Sequence, residues 1–208
     1  LAVDPTIGGA IGADIGTAND AYQNEALTAA QLALSNFNYL SMVRLPLIAV
    51  DLPLRYAQHA DLAHAWQILQ MTVGGNTVFR RALFLAAGGF PQDPLFRRLG
   101  GEDGALGRAF VAATVVGTLF DQWGESGLNG QKCGNDSVQA AGVLHFCRDG
   151  MHAERLLDAV LFQRHDPQVL HYLPQAEQVT QRIIRQLQQL SPALQVEKCG
   201  VMPLYWQV

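Results

Sequence analysis

The sequence predicts an α/β fold: a mixed sheet with flanking helices and a C-terminal amphipathic helix. Three observations lead there. Segments with helical spacing alternate with short apolar runs of strand length. Val179, Ile183, Leu187 and Leu190 recur along one face of Gln175–Leu190, with glutamines opposite. Hydrophobic residues make up 49% of the 208 residues and charged ones 15%, ample for a core and unlike a disordered chain.

The elements follow in order. Residues 1–20 are small and apolar and contain a short buried strand around Ile7–Ala13. Its Gly9-x-x-Gly12 lacks the full G-x-G-x-x-G order of a dinucleotide loop. Residues 21–43 have helical spacing (Ala26, Ala29, Ala30, Ala33, Leu34), with Asn19 or Asp20 as cap. Pro46 and Pro53 bracket an extended Leu47–Val50, and Ala57–Met71 is expected to be helical. Asn76 opens a strand or turn that leads into a short helix, Arg81–Ala87, stopped by Gly88-Gly89. Pro91–Leu99 is expected as a loop, Glu102–Ala113 as a helix and Val115–Phe120 as a strand. Residues 121–140 are polar and glycine-rich, a loop of functional length. Val143–Phe146 is expected as a strand, Ala153–Gln163 as a helix, and the tail from Ala193 as a final strand.

The net charge of −4, without a basic run, argues against nucleic acid as partner. Apolar stretches end short of the roughly twenty residues of a membrane span, and no secretory signal pattern is present. The three cysteines, Cys133, Cys147 and Cys199, have neither disulfide-framework nor zinc spacing; free thiols in a reducing cytoplasm are expected. The chain begins at Leu1 without a methionine and reads as a piece of a longer protein.

Chemistry concentrates in one stretch. Gly74-Gly75-Asn76 is followed by Phe79-Arg80-Arg81, then Gly88-Gly89-Phe90, then Gly100-Gly101-Glu102-Asp103 in a helix that carries Arg108. Glycine pairs allow close backbone approach, and an acidic pair behind one is well placed for acid–base work at a cleft. The other signature chemistries are missing: there is no G-x-S-x-G elbow or P-loop, and His59 and His64 are off the i, i+4 zinc spacing.

As an ordered set, these features resemble the acceptor-side half of a GT-A-fold, family 2 type glycosyltransferase. Residues 1–15 resemble the strand after that family's metal-binding D-x-D, and Leu144–Phe146 with Arg148–His152 fall where it has a later strand and loop beside the site. The resemblance spans residues 1–155, with 156–208 as a helical C-terminal extension. It implies sugar transfer from a nucleotide-sugar donor to a carbohydrate or other hydroxyl acceptor. It further implies a divalent metal, Mn or Mg, in the full-length protein. The chain itself carries no D-x-D, and the nucleotide-binding half is absent, so packing on an N-terminal half or another subunit is expected.

The resemblance points to Asp103 as the base that takes the acceptor proton, with Glu102 orienting it or contacting the acceptor. Capping of a helix N-terminus is the competing role for both. Gly100 and Gly101 would admit the acceptor. Gly75 and Asn76 would wall the sugar pocket or form a β-bulge. Arg80 or Arg81 would meet a diphosphate, with Arg108 as a further substrate contact. His145 is a weak metal-ligand candidate within an apolar strand, and His152 has no second ligand at metal spacing. Two alternatives are a non-catalytic carbohydrate- or protein-binding domain of the same descent, and a helical interaction module built on residues 174–191.

Overall fold

The computed structural model describes residues 7–11, 20–119, 142–190 and 200–203. It is an α/β arrangement. Strands β1 (Ile7–Ile11), β2 (Leu40–Arg44), β4 (Asn76–Arg80), β5 (Val115–Thr118) and β7 (Gly200–Pro203) form a mixed sheet in the order β1-β4-β2-β5-β7. β4 runs antiparallel to both β1 and β2, whereas β2–β5 and β5–β7 are parallel. β3 (Leu47–Val50) pairs in parallel with β6 (Gly142–His145) as a separate ribbon. The expected loop at 121–140, Cys133 and Cys199 lie outside the described residues.

Helix α1 (Asp20–Asn36) ends before β2, so the helix expected to run to residue 43 is too long. All five residues of β2 are buried, including Arg44. A central strand covered on both faces loses its period-2 signal and is easily read as part of a neighbouring helix. The ladder shifts register between Leu40 and Met42. The Ser41 hydroxyl fills the irregularity, 2.6 Å from Thr114 Oγ1 and donating to the Val115 carbonyl at 3.0 Å.

The helix expected over 57–71 is two, α2 (Leu54–Ala57) and α3 (Leu62–Thr72). Between them the His59 ring accepts the Asp61 N–H at 3.1 Å, a local bond that competes with helix continuation. α4 (Arg81–Ala86) follows β4, and Gly88 and Gly89 leave it with φ of 83° and 72°. The loop expected over 91–99 contains α5 (Pro94–Leu99), started by Pro94 in the first turn, where its missing N–H costs nothing. α6 (Glu102–Ala113) has the expected bounds. Phe146 opens helix α7 (Phe146–Phe162) instead of ending a strand, so Arg148–His152 are helical and not a loop.

Helix α8 (Pro167–Leu190) starts earlier than expected and continues through Pro174. Val179, Ile183 and Leu187 are buried against Leu106, Ala109 and Phe110 of α6, whereas Leu190 is exposed. Arg182 forks onto Asp93 at 3.0 and 2.7 Å, and Arg108 reaches Glu177 at 2.6 Å. Such surface pairs add little net stability but fix the angle at which α8 lies. Leu157 and Ala153 of α7 join Trp66, Leu69 and Tyr56 in a second cluster. The stretch after residue 155 is thus packed into the same layers as the stretch before it. Among the described residues no helix is long and apolar enough to cross a membrane.

Two outcomes follow from this packing. Ile183→Ala removes a fully buried side chain between α8 and α6 and is expected to cost about 2–5 kcal/mol in urea unfolding; a loss within experimental error would mean that α8 does not share the core. The second concerns alkaline pH. Burial pushes the Tyr56 phenol up to about 12, opposed by the hydrogen bond from Arg55 and reinforced by the one to Asp158. The unfolded phenol ionises near pH ~10. Its contribution to stability is therefore intact below that pH and is lost as pH rises toward about 12. Tyr56→Phe is expected to flatten that decline in urea midpoints; equal slopes in the two proteins would show that the phenol titrates as in the unfolded chain.

Candidate functional site

Four chain segments, joined by Leu47 of β3 and Leu144 of β6, converge on one cavity of about 610 Å³. The four are the end of α3 with the Gly74-Gly75 turn, the joint between α5 and α6, one face of α7, and the stretch from His165 along α8 to Thr180. Its size is that of a small-molecule pocket.

At the joint, Gly100 and Gly101 adopt φ of 70° and 95°, the left-handed region closed to most side chains. A Cβ at Gly100 would stand 2.7 Å from the His152 ring, and one at Gly101 would stand 2.7 Å from the Tyr172 hydroxyl. The glycine pair therefore does two things. It turns the chain into α6, and it lets α7 and α8 close on that turn. The Tyr172 hydroxyl donates to the Gly100 carbonyl at 3.5 Å. Burial raises its pKa above the usual phenol value; Arg155 opposes the rise, and Asp103 and Glu102 add to it.

Asp103 is held from two sides. Its Oδ2 accepts the Gly74 N–H at 2.8 Å and its Oδ1 accepts the Gly104 N–H at 2.7 Å. A Cβ at Gly74 would come within 2.8 Å of the Asp103 Cβ, so close approach requires glycine there. Each carboxylate oxygen keeps a second lone pair for an incoming proton. Glu102, beside it on the cavity wall, has no hydrogen-bond or ion-pair partner among the described residues.

Behind this wall lies Arg44. Its guanidinium donates to the carbonyls of Gln70 (3.2 Å) and Val73 (2.8 Å) and to Asn76 Oδ1 (3.4 Å). Burial lowers its pKa to about 10, with the charge of Asp103 acting in the opposite sense. Its Nε is buried without a partner among the described residues. Gly107 of α6 faces the guanidinium so closely that a Cβ would overlap it.

Of the residues singled out in the sequence, Gly75, Gly100, Gly101, Glu102, Asp103 and Arg108 line the cavity together. Asn76 does not: it is fully buried, and its amide donates to the carbonyls of Leu45 (2.6 Å) and Gln70 (3.0 Å). Arg80 lies at the other end of β4, off the cavity wall, where it donates to the carbonyls of Leu34, Phe37 and Leu40 and closes the end of α1. Arg81 is exposed at the start of α4, off the cavity wall. The backbone of His145 pairs with Val50 at the end of β6; its side chain is outside the described set.

Sequence reasoning did not find Tyr172, nor the leucines of α7 and α8 on the same wall. The available signal was Leu170 and Leu173, which add an apolar edge to α8 off its core-facing stripe. Among the described residues no three His, Cys, Asp or Glu side chains converge as metal ligands. Both Asp103 oxygens are already engaged by backbone N–H groups. The described residues do not fit a divalent cation, and no step below runs through one.

The fit of Arg44 against α6 is testable. Gly107→Ala is expected to cost about 1–3 kcal/mol by overpacking, and distinctly less when combined with Arg44→Met, which removes the guanidinium. Strictly additive losses in urea unfolding would show that the two positions do not press on each other.

Compared with known proteins, the chain matches no family model, no curated protein and no solved structure.

Proposed function

We infer that the chain is the acceptor-side part of a glycosyltransferase that moves a sugar from a nucleotide-sugar donor to a hydroxyl acceptor. The observation that carries this is the convergence of two glycine pairs, Gly74-Gly75 and Gly100-Gly101, on one pinned carboxylate, Asp103, in a cavity that accommodates a small molecule. In this reading the acceptor oxygen attacks the anomeric carbon of the donor. The bond from that carbon to the diphosphate breaks, and its electron pair leaves with the diphosphate. The acceptor proton passes to the Asp103 carboxylate. Gly74 N–H fixes the orientation of that carboxylate, so little reorganisation is needed at the moment of transfer. Glu102 contacts the acceptor from the same helix turn.

A second reading is a binding domain of the same descent that takes a carbohydrate or a protein and transfers nothing. What favours it is the absence of a D-x-D in this sequence, the motif that would hold the donor diphosphate.

Asp103→Asn in the full-length protein is expected to lower transfer by about 10²–10⁴-fold with the fold retained, assayed by release of nucleoside diphosphate. Undiminished turnover removes Asp103 from the role of base. Calorimetry of the 208-residue chain with uridine or guanosine diphosphate and Mn²⁺ is expected to register no binding; tight binding would put a donor site within this chain.

A further inference from the structure

The wall of the cavity is divided by chemistry. One polar group gathers where Gly100, Gly101 and the first turn of α6 meet His152 and Tyr172; a second, Arg155, His165 and Asp166, borders the cavity between α7 and α8. From His152 the same face of α7 continues through Leu156, Ala159 and Val160. At about 1.5 Å of rise per residue, that aliphatic face reaches roughly 12 Å past the histidine. On α8, Leu170 and Leu173 line the cavity while remaining 49% and 43% exposed. These leucines are contiguous with a pocket and left uncovered by the core, which marks them as surface for a ligand rather than scattered surface residues.

The charges on the wall narrow the class. Arg108 is engaged by Glu177 at 2.6 Å, and Arg155 by Asp166 at 3.6 Å and by the Leu99 carbonyl at 3.4 Å. Among the described residues both arginines of the wall already hold a carboxylate, and the unpaired Glu102 beside Asp103 repels an anionic ligand. A purely hydrophilic sugar, in turn, would leave the α7 and α8 leucines against water or against unpaired hydroxyls.

We propose that the cavity takes a neutral amphiphile, with a hydroxyl-bearing head at Glu102–Asp103 and an aliphatic body along Leu156, Val160, Leu170 and Leu173. That this molecule is the acceptor rests on the transferase reading above; that it binds does not.

The test uses n-alkyl β-D-glucosides of rising chain length, below their micelle concentrations, in calorimetry with the 208-residue chain. Each added methylene is expected to tighten binding by about fourfold until the aliphatic wall is filled. Leu170→Gln and Leu173→Gln, at half-exposed positions that tolerate polar side chains, are expected to flatten that increment. Leu32→Gln, at a leucine of α1 that is also 49% exposed but lies away from the cavity, leaves it unchanged. Affinity independent of chain length overturns the proposal, as does a chain-length increment that survives both cavity substitutions. In the full-length protein the two readings separate. Transfer only to short hydrophilic sugars overturns the amphiphile and keeps the transferase. Chain-length-dependent binding without any transfer keeps the amphiphile site and overturns the transferase.

Discussion

The buried cation of Arg44 is the constraint around which the rest is arranged. It stands in the central strand β2, 1% exposed, where a charge is costly unless hydrogen bonds surround it. Those bonds come from outside its own strand: two carbonyls near the C-terminal end of α3, where the helix carries partial negative charge, and the side chain of Asn76 at the start of β4. Satisfying one guanidinium therefore fixes where α3 stops, where β4 begins and how near α6 comes, since only a glycine at 107 leaves room for it. Val73, whose carbonyl Arg44 holds, is followed directly by Gly74, whose N–H holds Asp103. The carboxylate at the cavity thus inherits its position from a cation in the core. The cation keeps its proton at neutral pH because its lowered pKa still lies near 10.

This arrangement separates two tasks that the sequence places side by side. Within the stretch from Gly74 to Arg81, the backbone of Gly74 and Gly75 faces the cavity, Asn76 ties three segments together in the core, and Arg80 closes the end of α1. Asn76 and Arg80 share a face of β4 but stand at its two ends, about 13 Å apart along the strand, so a dense polar run need not be a single site. The same holds in α6. Glu102, Asp103 and Arg108 border the cavity, while Leu106, Ala109 and Phe110 form the core against α8.

What could be read from the sequence follows from how local each signal is. The bounds of α6 and the stop of α4 at Gly88-Gly89 depend on capping and positive φ, which a few neighbouring residues specify. The convergence of glycine pairs near Glu102-Asp103 was visible as an ordered set. The strand at Leu40–Arg44 was not, because both its faces are covered and its arginine is buried, against every expectation for a charged residue. The contributions of Tyr172, Leu170 and Leu173 depend on α8 folding back over α5 and α6. No spacing within the helix encodes that return. Asn76 and Arg80 looked like ligand contacts because amides and guanidinia serve ligands and carbonyl groups with the same donors.

Pro174 gives α8 two mechanical parts. A proline inside a helix has no N–H for the carbonyl one turn back and crowds it sterically. Leu170 carries that carbonyl. Past the proline, Val179, Ile183 and Leu187 anchor the helix in the core; ahead of it, Leu170, Tyr172 and Leu173 border open volume. The weakest rung of the helical ladder thus falls between the anchored arm and the arm that meets the cavity. Ahead of that rung, among the described residues of α8 only Tyr172 packs onto the core, and its hydroxyl also holds the Gly100 carbonyl. The α8 edge of the cavity is thus tied to the core through one aromatic ring that sits just ahead of a missing backbone hydrogen bond.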